Sequence, residues 1–272
     1  MGKFDGYLIC TDLDGTLLRK DKSVSEENLQ AIEYFKEEGG RFTLITGRMP
    51  FYASDICNLI KPNAPFGCSN GGGLFDFQRG EYIWKQPIDN NVLKLVEYID
   101  NMLPEVAIHV STFYKAYFSK DNAAMKRFRE VSKIPDCVCH YYDVNETIAK
   151  IIFASDKEEE IMSLEKILKE HPMADNFSFI RSDKTLYEIL PMGIGKGMAI
   201  TKLREYYGDA LKKIIAVGDY NNDISMFEAA DVGIAVSNAC PEALAAADYV
   251  TVSNQEHAIK SIVWDIENGK FI

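Results

Sequence analysis

Nowhere does the chain hold an apolar run near the roughly 18 to 20 residues that a membrane-spanning helix requires. Its start, Met1-Gly2-Lys3-Phe4-Asp5, lacks the basic-then-apolar order of a secretory signal, and Gly6 stands where myristoylation after Gly2 asks for Ser or Thr. Positive charge is short as well: 30 Lys and Arg face 41 Asp and Glu, for a net charge of −11. Nucleic acid and acidic membrane surfaces are bound chiefly through Lys and Arg, so this deficit argues against both as partners. Any anionic ligand must then meet a local positive site. The six cysteines form no CxxC pair and no disulfide framework, which points to a reducing, cytoplasmic setting. His109, His140, His171 and His257 show no zinc spacing. Internal repeats, low-complexity tracts and obvious linkers are missing too, and no stretch signals a protein partner.

What remains is an ordinary globular composition, 47% hydrophobic and 26% charged over 272 residues, enough for one large domain or two smaller ones. The most informative stretch is Tyr7-Leu8-Ile9-Cys10-Thr11-Asp12-Leu13-Asp14-Gly15-Thr16, an apolar run that empties into two carboxylates. A strand here delivers acids to its own C-terminal end, the edge at which open parallel α/β sheets bind ligands. Asp14-Gly15 is also a hairpin signal, but Leu17 to Lys22 offers no convincing second strand. Ser25 can cap a helix over about residues 26–38, where Leu29, Ile32 and Phe35 recur at helical spacing before Gly39-Gly40. A strand over 41–45 ends in Thr46-Gly47-Arg48, and Pro50 opens another helix. Strand, helix, strand, helix predicts right-handed crossovers onto a parallel sheet, which brings the strand ends to one edge.

Asn70-Gly71-Gly72-Gly73 reads equally as a loop closely approached by the site and as the entry to a hairpin turning near Arg79-Gly80. From about Lys85 to Leu190, successive strands joined by short turns, with three helices among them, predict an antiparallel α+β module. Its aromatics Phe113, Tyr114, Tyr117 and Phe118 could line a pocket, though strand aromatics are more often core. The parallel pattern resumes near Gly195. Lys196 opens a helix, a strand over 213–217 runs into Gly218-Asp219-Tyr220-Asn221-Asn222-Asp223, and a closing helix starts at about Asn254. The predicted fold is therefore α/β: a Rossmann-like doubly wound parallel sheet from residues 1–84 and 191–272, with an α+β module inserted over 85–190.

Asp12 and Asp14, Thr46, Lys196, and Asp219 and Asp223 all lie at strand ends or at a helix start. Each has a bland reading, since Asp and Thr readily occupy caps and turns and a first-turn lysine is often solvated. Jointly, on one sheet edge, they fit a single chemistry. Packed carboxylates raise one another's pKa values unless a cation is present, and hard oxygen ligands select Mg²⁺. Such an ion keeps an open position for a substrate phosphate oxygen, while Lys196 and the Thr46 hydroxyl offer a charge and a donor to the remaining phosphoryl oxygens. Gly193-Ile194-Gly195-Lys196-Gly197-Met198 lacks the Ser or Thr and the spacing of a nucleotide loop.

These motifs resemble the phosphatases of the haloacid dehalogenase superfamily, and more narrowly their Cof-type branch. Asp12-Leu13-Asp14-Gly15-Thr16 is similar to the first motif, Thr46-Gly47-Arg48 to the second, Lys196-Gly197 to the third and Gly218 to Asp223 to the fourth, in order across the whole core. Leu186 to Gly197 and Gly233 to Thr251 also resemble Cof-type wording, and the inserted module stands where that branch carries its cap. Gly195 and Cys240 depart from residues common in relatives, outside the catalytic set. The resemblance implies Asp12 as a nucleophile that forms an aspartyl-phosphate. Asp14 would serve as the acid and then the base, with a pKa above that of Asp12, which Mg²⁺ would hold ionised. It implies Mg²⁺ held by the Asp12 side chain, the Asp14 backbone carbonyl and Asp219, with Asp223 as a further ligand or an anchor. Thr46, Lys196, Gly47, Arg48 and Asn222 would hold phosphate. The expected substrate is a small phosphorylated metabolite such as a sugar, nucleotide or cofactor phosphate. A phosphomutase of the same superfamily and a non-catalytic phospho-ligand binding protein are the alternatives.

Overall fold

Strand Tyr7–Thr11 pairs in parallel with Lys213–Gly218 on one side and Arg41–Leu44 on the other, and it is buried along almost its whole length. It is the centre of a parallel sheet whose five strands, among the described residues, run in the order Tyr249–Thr251, Val232–Val236, Lys213–Gly218, Tyr7–Thr11, Arg41–Leu44. The computed structural model describes residues 2–135 and 137–271. Alternation along the strands feeds two cores. Ile9, Phe42, Leu44, Ile215 and Val217 meet Ile32, Phe35, Ala53, Ile60, Ile259 and Ile262 on one face. Leu8, Cys10, Ile214 and Ala216 meet Ala199, Ile200, Leu203, Met226 and Phe227 on the other. Helices cover both faces, which is the doubly wound α/β fold expected from the sequence.

Local signals explain the helices. Ser25 Oγ accepts the Asn28 N–H at 3.2 Å at the head of Glu26–Glu37. Pro50 occupies the first turn of Pro50–Ile60, which ends on a left-handed Lys61. The closing helix starts at Ala258, later than the sequence suggests. Asn254 is spent elsewhere: its side chain donates to the Leu18 carbonyl at 2.8 Å and its N–H to Asn238 Oδ1. An antiparallel trio, Phe66–Cys68, Gly73–Asp76 and Glu81–Lys85, adjoins the parallel sheet through an Ile45–Gly67 bridge. No helix among the described residues is long and apolar enough to cross a membrane.

Residue contacts divide the chain into two units, Met1–Lys85 with Gly195–Ile272, and Gln86–Ile194. The second is an antiparallel sheet in the order Ala116–Lys120, Ala107–Thr112, Ile148–Ala154, Leu186–Pro191, Phe177–Asp183. Helices Val92–Met102 and Glu158–Glu170 pack Leu95, Val96, Ile99, Leu164 and Leu168 on its Ile108, Val110, Ile151, Phe153, Tyr187 and Ile189 face. Asn122 caps a third helix, Ala123–Val131. Phe113 and Phe118 are core, whereas Tyr114 is exposed.

Candidate active site

The register of three parallel strands assembles the site within the first unit. Thr11 lies beside Leu44 and Val217, the Asp12 N–H donates to the Val217 carbonyl at 2.8 Å, and the Ile45 N–H donates to the Thr11 carbonyl at 2.9 Å. Asp12, Thr46 and Asp219 therefore leave the sheet at one edge. Lys196, in the first turn of helix Lys196–Tyr207, sends its ammonium to Asp12 Oδ1 at 2.6 Å and Asp223 Oδ1 at 2.5 Å. That lysine is 1% exposed.

Each remaining acid is held differently. The Thr16 hydroxyl donates to Asp219 Oδ1 at 2.7 Å. Gly15 has φ +86° and lies so close to Asp219 that a β-carbon there would come within 2.3 Å of Oδ2, so glycine serves both the backbone and the carboxylate. Asp223 accepts the Asp219 and Tyr220 N–H groups on Oδ2, at 2.8 and 2.9 Å, and its other oxygen takes Lys196, which makes it an anchor of its loop. Asp14 is gripped by Arg48, Nε to Oδ2 at 2.9 Å and Nη2 to Oδ1 at 2.8 Å, and by Lys22 at 2.8 Å. Thr46 is buried, with its hydroxyl accepting the Arg48 N–H at 3.3 Å, and the Asn222 amide donates to Asn70 Oδ1 at 3.2 Å.

Electrostatics follow from this packing. Burial raises the Asp12 carboxyl well above its ordinary value, and Asp223 and Asp219 add to the effect against the pull of Lys196. Asp219 is pushed up to about 7 by burial and by the Asp223 charge. Burial opposes the Lys196 ammonium, but Asp12 and Asp223 outweigh it and raise its pKa. Asp14 is also pushed up by burial, yet Arg48 and Lys22 outweigh that and hold it below the usual carboxylate range. Without a cation Asp12 stands above Asp14, whereas the order expected from sequence is that of a site in which Mg²⁺ holds Asp12 ionised. Arg48 stands on Asp14 and supplies its compensating charge.

The donor set fits a hard divalent cation. Asp12, Asp219 and Asp223 bring one carboxylate oxygen each to within 4.8 Å of one another. Lys196 is paired with two of them, so three negative charges against its single positive charge leave two uncompensated. A buried excess of two, expressed in raised carboxyl pKa values, is what a doubly charged oxygen-loving ion relieves. The catalytic, phosphate-binding and metal set expected from sequence omits Thr16, Lys22 and Asn70, although one reading of the Asn70 loop brings it close to the site. Thr16 lies inside the first motif, Asn70 at the end of a strand joined to the parallel sheet, and both positions were signals; Lys22, on a left-handed turn, gives none.

Residues 9–263 match the sequence profile of the family described as haloacid dehalogenase-like hydrolase. The chain belongs to this family. Within the haloacid dehalogenase-like hydrolases it is similar to the 5-amino-6-(5-phospho-D-ribitylamino)uracil phosphatase YwtE of Bacillus subtilis, with 30% identity covering 97% of this chain and 99% of the relative. YitU of the same organism, named for the same activity, is 28% identical over 93% of this chain and 94% of its own length. A haloacid dehalogenase-like hydrolase from Bacteroides thetaiotaomicron shares the fold, with a TM-score of 0.82 at 23% identity, covering 96% of this chain and 99% of that one. The chain is a hydrolase of the family's Cof-type phosphatase branch.

Proposed function

We propose that this phosphatase hydrolyses small phosphorylated metabolites with Mg²⁺, through an aspartyl-phosphate on Asp12. The observation that carries the reading is Lys196 buried between Asp12 and Asp223, beside an Asp219 pushed up to about 7. Burial of so many charges costs stability and is retained where chemistry uses it. Asp12, Asp219 and the Asp14 carbonyl would hold the cation, with Asp223 as their anchor. When bound, the ion keeps Asp12 ionised and offsets charge on the phosphoryl oxygens.

An Asp12 carboxylate oxygen bonds to phosphorus while the ester P–O bond breaks, and the departing alkoxide takes the Asp14 proton. Water then gives a proton to the Asp14 carboxylate as its oxygen attacks phosphorus, the Asp12–phosphorus bond breaks, and phosphate leaves. Arg48 and Lys22 favour the ionised Asp14 of the second step, so the first requires that their grip loosen. Thr46, Lys196, Gly47 and Asn222 orient and neutralise the phosphoryl oxygens. Residues 85–190 form the substrate-selecting cap of the reading. The relatives' named substrate, a phosphorylated ribitylaminouracil, belongs to the proposed class.

Hydrolysis of an aryl phosphate and of a panel of sugar, nucleotide and cofactor phosphates tests this. Turnover that needs Mg²⁺ and is lost on Asp12→Asn is expected; EDTA-insensitive turnover contradicts it. Phosphoryl transfer to a sugar phosphate faster than to water would identify a mutase instead.

A further inference from the structure

Ser69, Asn70 and Gly71 form three successive left-handed residues, with φ of +52°, +54° and +88°. Ser69 carries a side chain that disfavours this backbone, Asn70 one that tolerates it less well than glycine would, and all three are buried. The Ser69 hydroxyl, 0% exposed, finds no hydrogen-bond partner among the described residues. A short hook this costly persists where the surrounding structure over-determines it, which is a pattern of functional sites.

The hook's contacts show what holds it. The Thr46 N–H donates to the Gly67 carbonyl at 2.9 Å, the Ser69 N–H to Arg48 at 3.2 Å and the Asn70 N–H to Thr46 at 3.0 Å, so the Thr46-Gly47-Arg48 loop is pinned by this segment. Asn70 Oδ1 receives the Asn222 amide at 3.2 Å. A β-carbon on Gly47 would lie 3.1 Å from that same Oδ1, and one on Gly71 would fall 2.0 Å from the Gly195 carbonyl, immediately before Lys196. One three-residue hook therefore touches the loops that carry Thr46, Lys196 and Asn222.

We infer that Asn70 is a positioning residue for phosphate, its left-handed backbone and its amide together fixing the spacing of Thr46, Lys196 and Asn222. The inference rests on the phosphatase reading above. It separates two properties that a merely structural residue would keep together. Glycine at this position relieves the backbone while deleting the amide, so stability and activity should move apart.

The test is Asn70→Gly, Asn222→Ala and the double variant in the full chain. Readouts are Tm, kcat and KM on an aryl phosphate with Mg²⁺, and calorimetric binding of inorganic phosphate. Asn70→Gly is expected to keep or raise Tm while kcat falls about 10- to 100-fold and phosphate binding weakens. The double variant should lose little more than Asn222→Ala alone, because the two amides act as one unit. A kcat for Asn70→Gly within about twofold of the parent, a fall in Tm that parallels the fall in kcat, or multiplicative losses in the double variant would overturn it. A parent chain without turnover fails the phosphatase reading instead. In that case phosphate binding decides for Asn70: weakening in the glycine variant supports its role and unchanged binding rejects it.

Discussion

Arg48 grips Asp14 through two parallel bonds, Nε to Oδ2 at 2.9 Å and Nη2 to Oδ1 at 2.8 Å. A guanidinium fork of this kind is strong and directional. It stands on the residue proposed as acid and base, so it sets the pH at which Asp14 works.

Arg48→Met should move the pH profile towards alkali. Burial raises the Asp14 carboxyl, and with Arg48 gone Lys22 alone opposes it. Asp14 must be ionised to accept the proton of water in the second half-reaction, so the acid limb of kcat shifts to higher pH. Its protonated form survives to higher pH as well, which moves the alkaline limb the same way. A shift towards acid, or none, would remove Arg48 from this role.

Mg²⁺ should stabilise the protein more as pH rises. Asp219 titrates near 7 in the folded chain against an ordinary 3.8. Between these values the folded state holds a proton that the unfolded state has released, so without metal this group's contribution falls as pH rises. The ion binds the ionised carboxylate and reverses that trend. At a hundred times Kd it contributes about 2.7 kcal/mol. Thermal unfolding with and without Mg²⁺ at about pH 5.5 and about pH 8 tests this; a metal-induced gain in Tm that is equal at both removes Asp219 from the binding site.

The strand ends were legible in sequence because burial and chemistry meet there. Tyr7–Thr11 is apolar where two layers of helices cover it, and its polarity changes at Asp12, where the sheet ends. The antiparallel module was legible from its short turns. Partnerships across loops were not. Nothing near Arg48 in sequence announces Asp14, 34 positions away, and the lowered Asp14 pKa owes most to that contact. Asn70 illustrates another limit, since Asn-Gly after a strand usually marks a turn, while its left-handed backbone and its Asn222 contact exist only in the fold.

Asp12 and Asp14 should fail in different ways. Asp12→Asn keeps the shape but has no carboxylate to bond to phosphorus, so no phosphoenzyme forms and turnover is lost. Asp14→Asn leaves the nucleophile and slows both half-reactions by about 10²- to 10⁴-fold. Rapid-quench trapping of phosphoenzyme distinguishes them. Identical behaviour of the two variants in every step would contradict this division of roles.

In the second unit, Lys150 and Glu188 pair at 2.7 Å on neighbouring strands, with side chains 4% and 3% exposed. Breaking an ion pair this deeply buried is costly, so Lys150→Met should cost about 3 to 5 kcal/mol. Replacing both, as Lys150→Met with Glu188→Leu, should recover most of that. Denaturant unfolding of the single and double variants checks the coupling. Additive losses would mean that each residue acts through other neighbours.

His109 should make the second unit sensitive to acid. Its ring stacks on Phe118 at 4.8 Å between centroids, and neither nitrogen finds a hydrogen-bond partner among the described residues. Burial, helped by the Lys150 charge, lowers its pKa from 6.5 to about 3. The unfolded chain therefore takes up a proton that the folded chain refuses, and stability drains away as pH falls from 6.5 towards 3. His109→Leu removes the titration together with two unpaired nitrogens. It should gain about 1 kcal/mol at neutral pH and flatten the loss on acidification, read from urea unfolding across the pH range. A neutral-pH loss with an unchanged slope would show that the imidazole is held by an interaction stronger than its desolvation.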